Sequence, residues 1–196
     1  MIGLKLTIAL LTMAAVSQAA VIHFDELPAQ DVNGVSLLGV TFGFNMDATF
    51  GTNVGPPASP FIQPPSLEGN SLGTLTLTFA VPTNELSFGV ARSIEVNLNP
   101  GVSVELFDVA NNVIGTYTAD LSPSPLFSEG EFSYAGTAAG KAVITFPMPN
   151  VAPRFSLDNL TFVSSSVPET GSLVLSGLGL ILLGGVRVRR RWPSKR

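Results

Sequence analysis

The chain has 196 residues, 45% of them hydrophobic and 12% charged, with a formal net charge of −4, one histidine and no cysteine. Without cysteine there is neither a disulfide framework nor thiol chemistry, so stability must come from packing or from a bound ion. A lone histidine with no cysteine also excludes the clustered ligands a transition metal needs.

Residues 1–19 hold one base, Lys5, then the apolar stretch Leu6–Val16, then Ser17 and Ala19 in a small-x-small pattern. This is the layout of a secretory signal peptide, with cleavage expected after Ala19 and, next best, after Ala20. The body that follows, residues 20–163, is about 145 residues long and can form one domain with its own core. Thirteen of the 14 acids but only three of the ten bases (Arg92, Lys141 and Arg154) lie in residues 20–166, giving that part a formal charge of −10. Nucleic-acid binding needs the opposite sign and is set aside.

Helical periodicity is almost absent from the body. Short alternating or β-branched runs recur between Gly, Pro and Asn punctuation: Val21–Leu27, Val35–Phe44, Thr74–Phe79, Glu85–Val90, Ile94–Leu98, Ser103–Val109, Val113–Thr118, Glu131–Tyr134, Lys141–Phe146 and Phe155–Val163. The run from Thr74 is the cleanest, placing Leu75, Leu77 and Phe79 on one face and threonines on the other. Ala110-Asn111-Asn112 reads as a hairpin turn between the runs at 103–109 and 113–118. About ten strands at this spacing predict an all-β fold, an antiparallel β-sandwich of jelly-roll type. Gly51 to Gly73, with Pro56, Pro57, Pro60, Pro64 and Pro65, reads as one long loop.

Ser164-Ser165-Ser166 reads as a short linker before the C-terminal segment, residues 167–191, and a basic tail, 192–196. That segment begins with Val167-Pro168-Glu169-Thr170-Gly171 and continues with a charge-free run, Ser172–Val186. It ends in Arg187, Arg189, Arg190 and Arg191. As a helix the run is about 22 Å long at ~1.5 Å per residue, short against a bilayer core of ~30 Å. Counting from Thr170 to Val188, with Arg187 snorkelling, brings it close to a transmembrane span. The arginines serve as a stop-transfer signal and hold that end in the cytoplasm, which puts the body outside. A buried core helix with a solvated basic tail is the competing reading. In the motif, Pro168 biases Val167 toward an extended form that an enzyme groove can bind as a strand. Thr170 and Glu169 equally suit a plain helix start, as cap and dipole partner.

Motif, apolar run and arginine cluster together resemble the C-terminal sorting signal of PEP-CTERM proteins, with Thr170 standing where the usual Val-Pro-Glu-Pro has its second proline. The resemblance covers about thirty residues and implies processing by an exosortase, an integral-membrane enzyme, and passage to the cell surface. Val167 to Gly171 also resembles the Leu-Pro-x-Thr-Gly motif of sortase substrates, which implies a cut between Thr170 and Gly171. The body resembles the globular part of many such exported proteins. The residues that carry this are Phe24-Asp25-Glu26-Leu27-Pro28, Gly39-Val40-Thr41-Phe42 and Asp158-Asn159-Leu160-Thr161-Phe162. That pattern implies a galactose-binding-like jelly roll, in which first and last strands lie close together. Carboxylates from both then make a candidate structural Ca²⁺ site, Asp25, Glu26 and Asp158 with Asn159 as a carbonyl donor, since Ca²⁺ takes hard oxygen ligands. The alternative is that these acids face water or hold a turn.

His23, the only histidine, would have to serve any Ser-His-Asp arrangement. A lone strand histidine is far more often structural, and no enzyme is expected. The expectation is therefore a non-catalytic exported surface or matrix protein, anchored in the membrane by its tail before processing. The alternative is a carbohydrate-binding module at the cell surface or in exopolysaccharide, although only Tyr117, Tyr134 and the tail residue Trp192 offer the usual sugar-stacking rings.

Overall fold

A computed structural model describes residues 17–53 and 59–165. They form eleven strands, every pairing antiparallel, and contain no helix. The strands are β1 (Ser17–Ile22), β2 (Gln30–Asp31), β3 (Ser36–Leu37), β4 (Val40–Phe44), β5 (Ala48–Thr52) and β6 (Ser66–Asn70). They continue with β7 (Leu75–Arg92), β8 (Leu98–Phe107), β9 (Val113–Ser124), β10 (Phe127–Thr145) and β11 (Arg154–Ser165). The sorting motif, the predicted transmembrane run and the arginine cluster lie outside the described residues.

One main path of hydrogen bonds runs β2-β5-β6-β11-β7-β10-β8-β9, with β1 on β11 and β4 on β7. The sandwich arises because its longest strands serve both layers. The first part of β7, Leu75–Phe79, pairs with β4 and with Lys141–Ile144 of β10. Its second part, Leu86–Arg92, pairs with β11 and with Ser128–Tyr134 of β10. Register shifts between Ala135 and Lys141 mark the bend, the place where an unpaired residue turns a strand. Two predicted strands at 74–79 and 85–90 are thus one continuous β7, and those at 131–134 and 141–146 are one β10.

Alternation in β7 is as predicted: Leu75, Leu77 and Phe79 are buried while Thr78 is exposed. The Asn111 hairpin also forms, and Asp108 makes it. Asp108 Oδ1 accepts the N–H groups of Ala110 and Asn112, and Asn111 takes a left-handed φ of 63°, which Asn tolerates. Two expectations fail locally. Ile94–Leu98 is a bend that joins β8 only at Leu98, and β5 and β6 lie at or inside the stretch read as a single loop. Ser66-Leu67-Glu68-Gly69-Asn70 has one apolar residue in five, so its alternation gives no signal.

At the ends of the body, β1 and β11 pair in register from Ser17↔Ser165 to Ile22↔Leu160. The cleavage expected after Ala19 falls inside β1, and the expected serine linker begins inside β11. Both chain ends of the body therefore leave it side by side.

Candidate functional site

The three short motifs of the body come together, and packing accounts for most of them. Phe24 and Phe42 are buried with Phe50, ring centroids 5.0–5.9 Å apart and edge-on. Edge-to-face rings of this kind add specificity to burial. Gly39 has φ +86°, and so turns β3 back into β4 at a conformation costly for a residue with a Cβ. A Cβ on Gly51, also at positive φ, would lie 2.8 Å from the Leu27 carbonyl oxygen. The Phe24–Pro28 turn therefore rests against β5.

Asp158 and Asn159 sit where β11 slips register between Asp158 and Thr161, with Asn159 at φ 53°. The Asp158 side chain is buried, 1% exposed, on the outer face of β11. Its Oδ2 accepts the Gln63 N–H at 2.8 Å and its Oδ1 accepts the Asn159 N–H at 2.7 Å. Asn159 Nδ2 donates to the Phe61 carbonyl at 3.3 Å, and its Oδ1 accepts from His23 Nδ1 at 2.9 Å. Glu26 Oε1 accepts the His23 backbone N–H at 2.8 Å. Burial pushes the Asp158 carboxyl above the usual aspartate value, against the N–H groups of Gln63 and Asn159 and the nearby His23, which pull it down.

These bonds decide how the expected calcium ligands stand. Asp25, Asp158 and Asn159 do line one cleft of about 180 Å³, with His23 and Gln63–Pro65. Glu26 is turned to the His23 backbone instead, and both Asp158 oxygens are taken by N–H donors. Among the described residues no group of three or more His, Asp or Glu side chains is placed to hold a metal. The donors present do not fit a calcium cage, which needs six to eight oxygens. What the cluster does is fix the loop: Asp158 and Asn159 clamp residues 61–63 to the sheet. His23 is bonded to the Asn159 amide, and among the described residues no hydroxyl is bound to its ring.

Beside the clamp, the outer face of β11, β7 and β10 is open. One cleft of about 260 Å³ has Gly89, Ser87, Glu131, Asn159 and Thr161 below and Pro60–Phe61 as its wall. Gly89 is required here, because a Cβ would lie 2.0 Å from the Phe61 carbonyl oxygen. A second cleft of about 130 Å³ continues over Ser87, Thr161, Ser133 and Glu85. The two share Ser87 and Thr161, and the first shares Asn159 with the 180 Å³ cleft.

Arg92 has a structural role that the sequence reading did not single out. It is 0% exposed and donates to the carbonyls of Gly101 (3.0 Å), Pro147 (3.0 Å), Met148 (3.3 Å) and Ala152 (2.7 Å). The guanidinium carbon lies 5.5 Å from the centroid of the Phe146 ring. Burial lowers its pKa to about 10, so it stays charged at neutral pH. A base following Val90-Ala91, in a body with only three, was the available signal.

No family model matches the chain, and no curated protein matches it. Among solved structures it is similar to a family 29 carbohydrate-binding module, with 11% identity, covering 76% of this chain and 89% of that one at a TM-score of 0.43. A mutant of such a module complexed with mannohexaose gives 11% identity, 76% and 92% coverage and a TM-score of 0.43. A mutant complexed with cellulohexaose gives 12%, 75%, 91% and 0.40.

Proposed function

We propose that the chain is an exported, non-catalytic β-sandwich protein, carried to the outer face of the membrane and held there by its C-terminal segment until an exosortase-type enzyme processes it. The observation that carries this reading is the β1–β11 pairing, which brings both ends of the body out side by side. An N-terminal leader and a C-terminal anchor would then both start from the same edge of the body, with Ala20–Ile22 still paired to Leu160–Phe162 once Ser17–Ala19 are cut away. The charge division supports it: −10 on residues 20–166 and six bases after residue 186, an arrangement that keeps the tail inside and the body soluble outside. Mass spectrometry of protein released from the cell surface tests it, with new termini near Ala20 and near Val167–Gly171 expected. A sortase in the exosortase's place would leave Thr170 as the last residue.

A second reading, that the body binds carbohydrate, is favoured by the open polar face of β11, β7 and β10. Pull-down on the producing organism's own polysaccharide tests it. Retention that free oligosaccharide competes away is expected, and no retention would remove it.

A further inference from the structure

Resting on the carbohydrate reading, we infer that the trough across β11, β7 and β10 is the binding site, and that its ligand is a linear glycan bearing free amino groups. The trough is built from sequence upward. Antiparallel pairing sets Glu131 opposite Gly89, Ser133 opposite Ser87, and Ser87 opposite Thr161. Alternation puts these side chains on the outer face, because their neighbours Phe88, Phe132 and Leu86 are in the core. The floor is therefore glycine, serine and threonine, low enough to admit a chain and rich in hydroxyls. Gly89 to Glu85 spans about 14 Å along β7 at ~3.4 Å per residue, room for a short oligomer rather than a single ring. The clamp made by Asp158 and Asn159 holds the Pro60–Phe61 wall in place before any ligand arrives, so little ordering is left for binding to do. Phe61 is half-buried and gives that wall its one aromatic side chain.

Charge selects the class of glycan. Glu85 and Glu131 are exposed at the trough, and neither carboxylate has a hydrogen-bond or ion-pair partner among the described residues. Among the described residues no lysine or arginine lines it, and the body as a whole is anionic. An acidic polysaccharide would be repelled. Protonated amines on alternate faces of a linear chain would instead make charge-assisted bonds to the two carboxylates. An aminated sugar is thus distinguished from its N-acetylated counterpart by charge alone, on the same backbone.

The test is isothermal titration of the full chain in detergent against hexaglucosamine and hexa-N-acetylglucosamine. The aminated oligomer is expected to bind at least about tenfold more tightly, one charged hydrogen bond's worth, and to weaken with added salt. Glu85→Gln with Glu131→Gln should abolish that preference while Glu105→Gln, on β8, leaves it intact, and melting temperature should be the same in all three. Preference unchanged in the double variant, or a stronger affinity for the N-acetylated oligomer, overturns the inference while leaving carbohydrate binding standing. Ser133→Arg, which fills the trough without touching the core, keeps the site itself falsifiable: binding that survives it places the ligand elsewhere. Binding of neither oligomer nor the organism's own polysaccharide would remove the carbohydrate reading with it.

Discussion

Arg92 and Asp158 are both buried charges, and among the described residues neither has an ion-pair partner. Backbone meets both: four carbonyls accept from the two terminal nitrogens of Arg92, whose Nε has no partner among the described residues, and two N–H groups donate to Asp158. They pin opposite kinds of chain. Arg92 gathers the turn at 147–152 and the start of β8, while Asp158 gathers the loop at 61–63. This domain, with no disulfide, fixes each of these irregular segments by hydrogen bonds to one buried charge. It also shows the two need not be equal: a guanidinium spreads its charge over several donors and keeps it, whereas burial costs the carboxylate some of its acidity.

The largest effect is expected from Arg92→Met, which keeps volume but leaves four carbonyls, two of them in fully buried bonds, without that donor. A loss on the order of 4 kcal/mol is expected from chemical denaturation; a loss below about 1 kcal/mol would mean water replaces the guanidinium without penalty. Next in size is Gly89→Ala, whose added Cβ meets the Phe61 carbonyl at 2.0 Å. We expect about 2 kcal/mol from overpacking, with faster amide exchange at residues 59–65 as the wall lifts from the sheet.

Asp158→Asn should cost less, about 1 kcal/mol, because the amide oxygen can still accept one N–H. Here pH separates the two charges. The Asp158 carboxyl is raised in the folded protein above its ordinary 3.8, so the folded state holds its proton more tightly than the unfolded one. That contribution is present below 3.8 and is lost as pH rises through the raised value. The stability advantage of wild type over Asp158→Asn should therefore shrink as pH climbs through that window in melting experiments. An advantage that grows with pH would mean that the N–H donors, not burial, control the group. Smallest of all is calcium. With both Asp158 oxygens committed, adding Ca²⁺ should leave the melting temperature unmoved, and a rise that Asp158→Ala abolishes would restore the metal site.

Much of the architecture was legible because it depends on alternation and turn chemistry. Leu75-Thr76-Leu77-Thr78-Phe79 and Asp108 to Asn112 are local statements, and the structure obeys them. β5 and β6 were not legible, because Gly69 and Glu68 look like loop residues until a neighbouring strand explains them. A Cβ on Gly69 would sit 2.7 Å from the Phe155 ring, a requirement visible only across strands. The site was half legible. Asp158 and Asn159 were picked out and do lie together with His23 and Asp25, but their oxygens serve the Gln63, Asn159 and His23 donors rather than a cation. Residue type cannot tell a ligand from a loop clamp; partners decide it, and Gln63 is 95 positions from Asp158. The trough was not legible at all, since serines and glycine on a strand's outer face carry no signal until the Pro60–Phe61 wall is placed beside them.

The export account is tested most directly by the intact mass of the protein recovered from the cell surface. It predicts a species lacking the leader through about Ala19 and lacking the arginine-rich end. A single soluble cytoplasmic species with Met1 and Arg196 both present would contradict it.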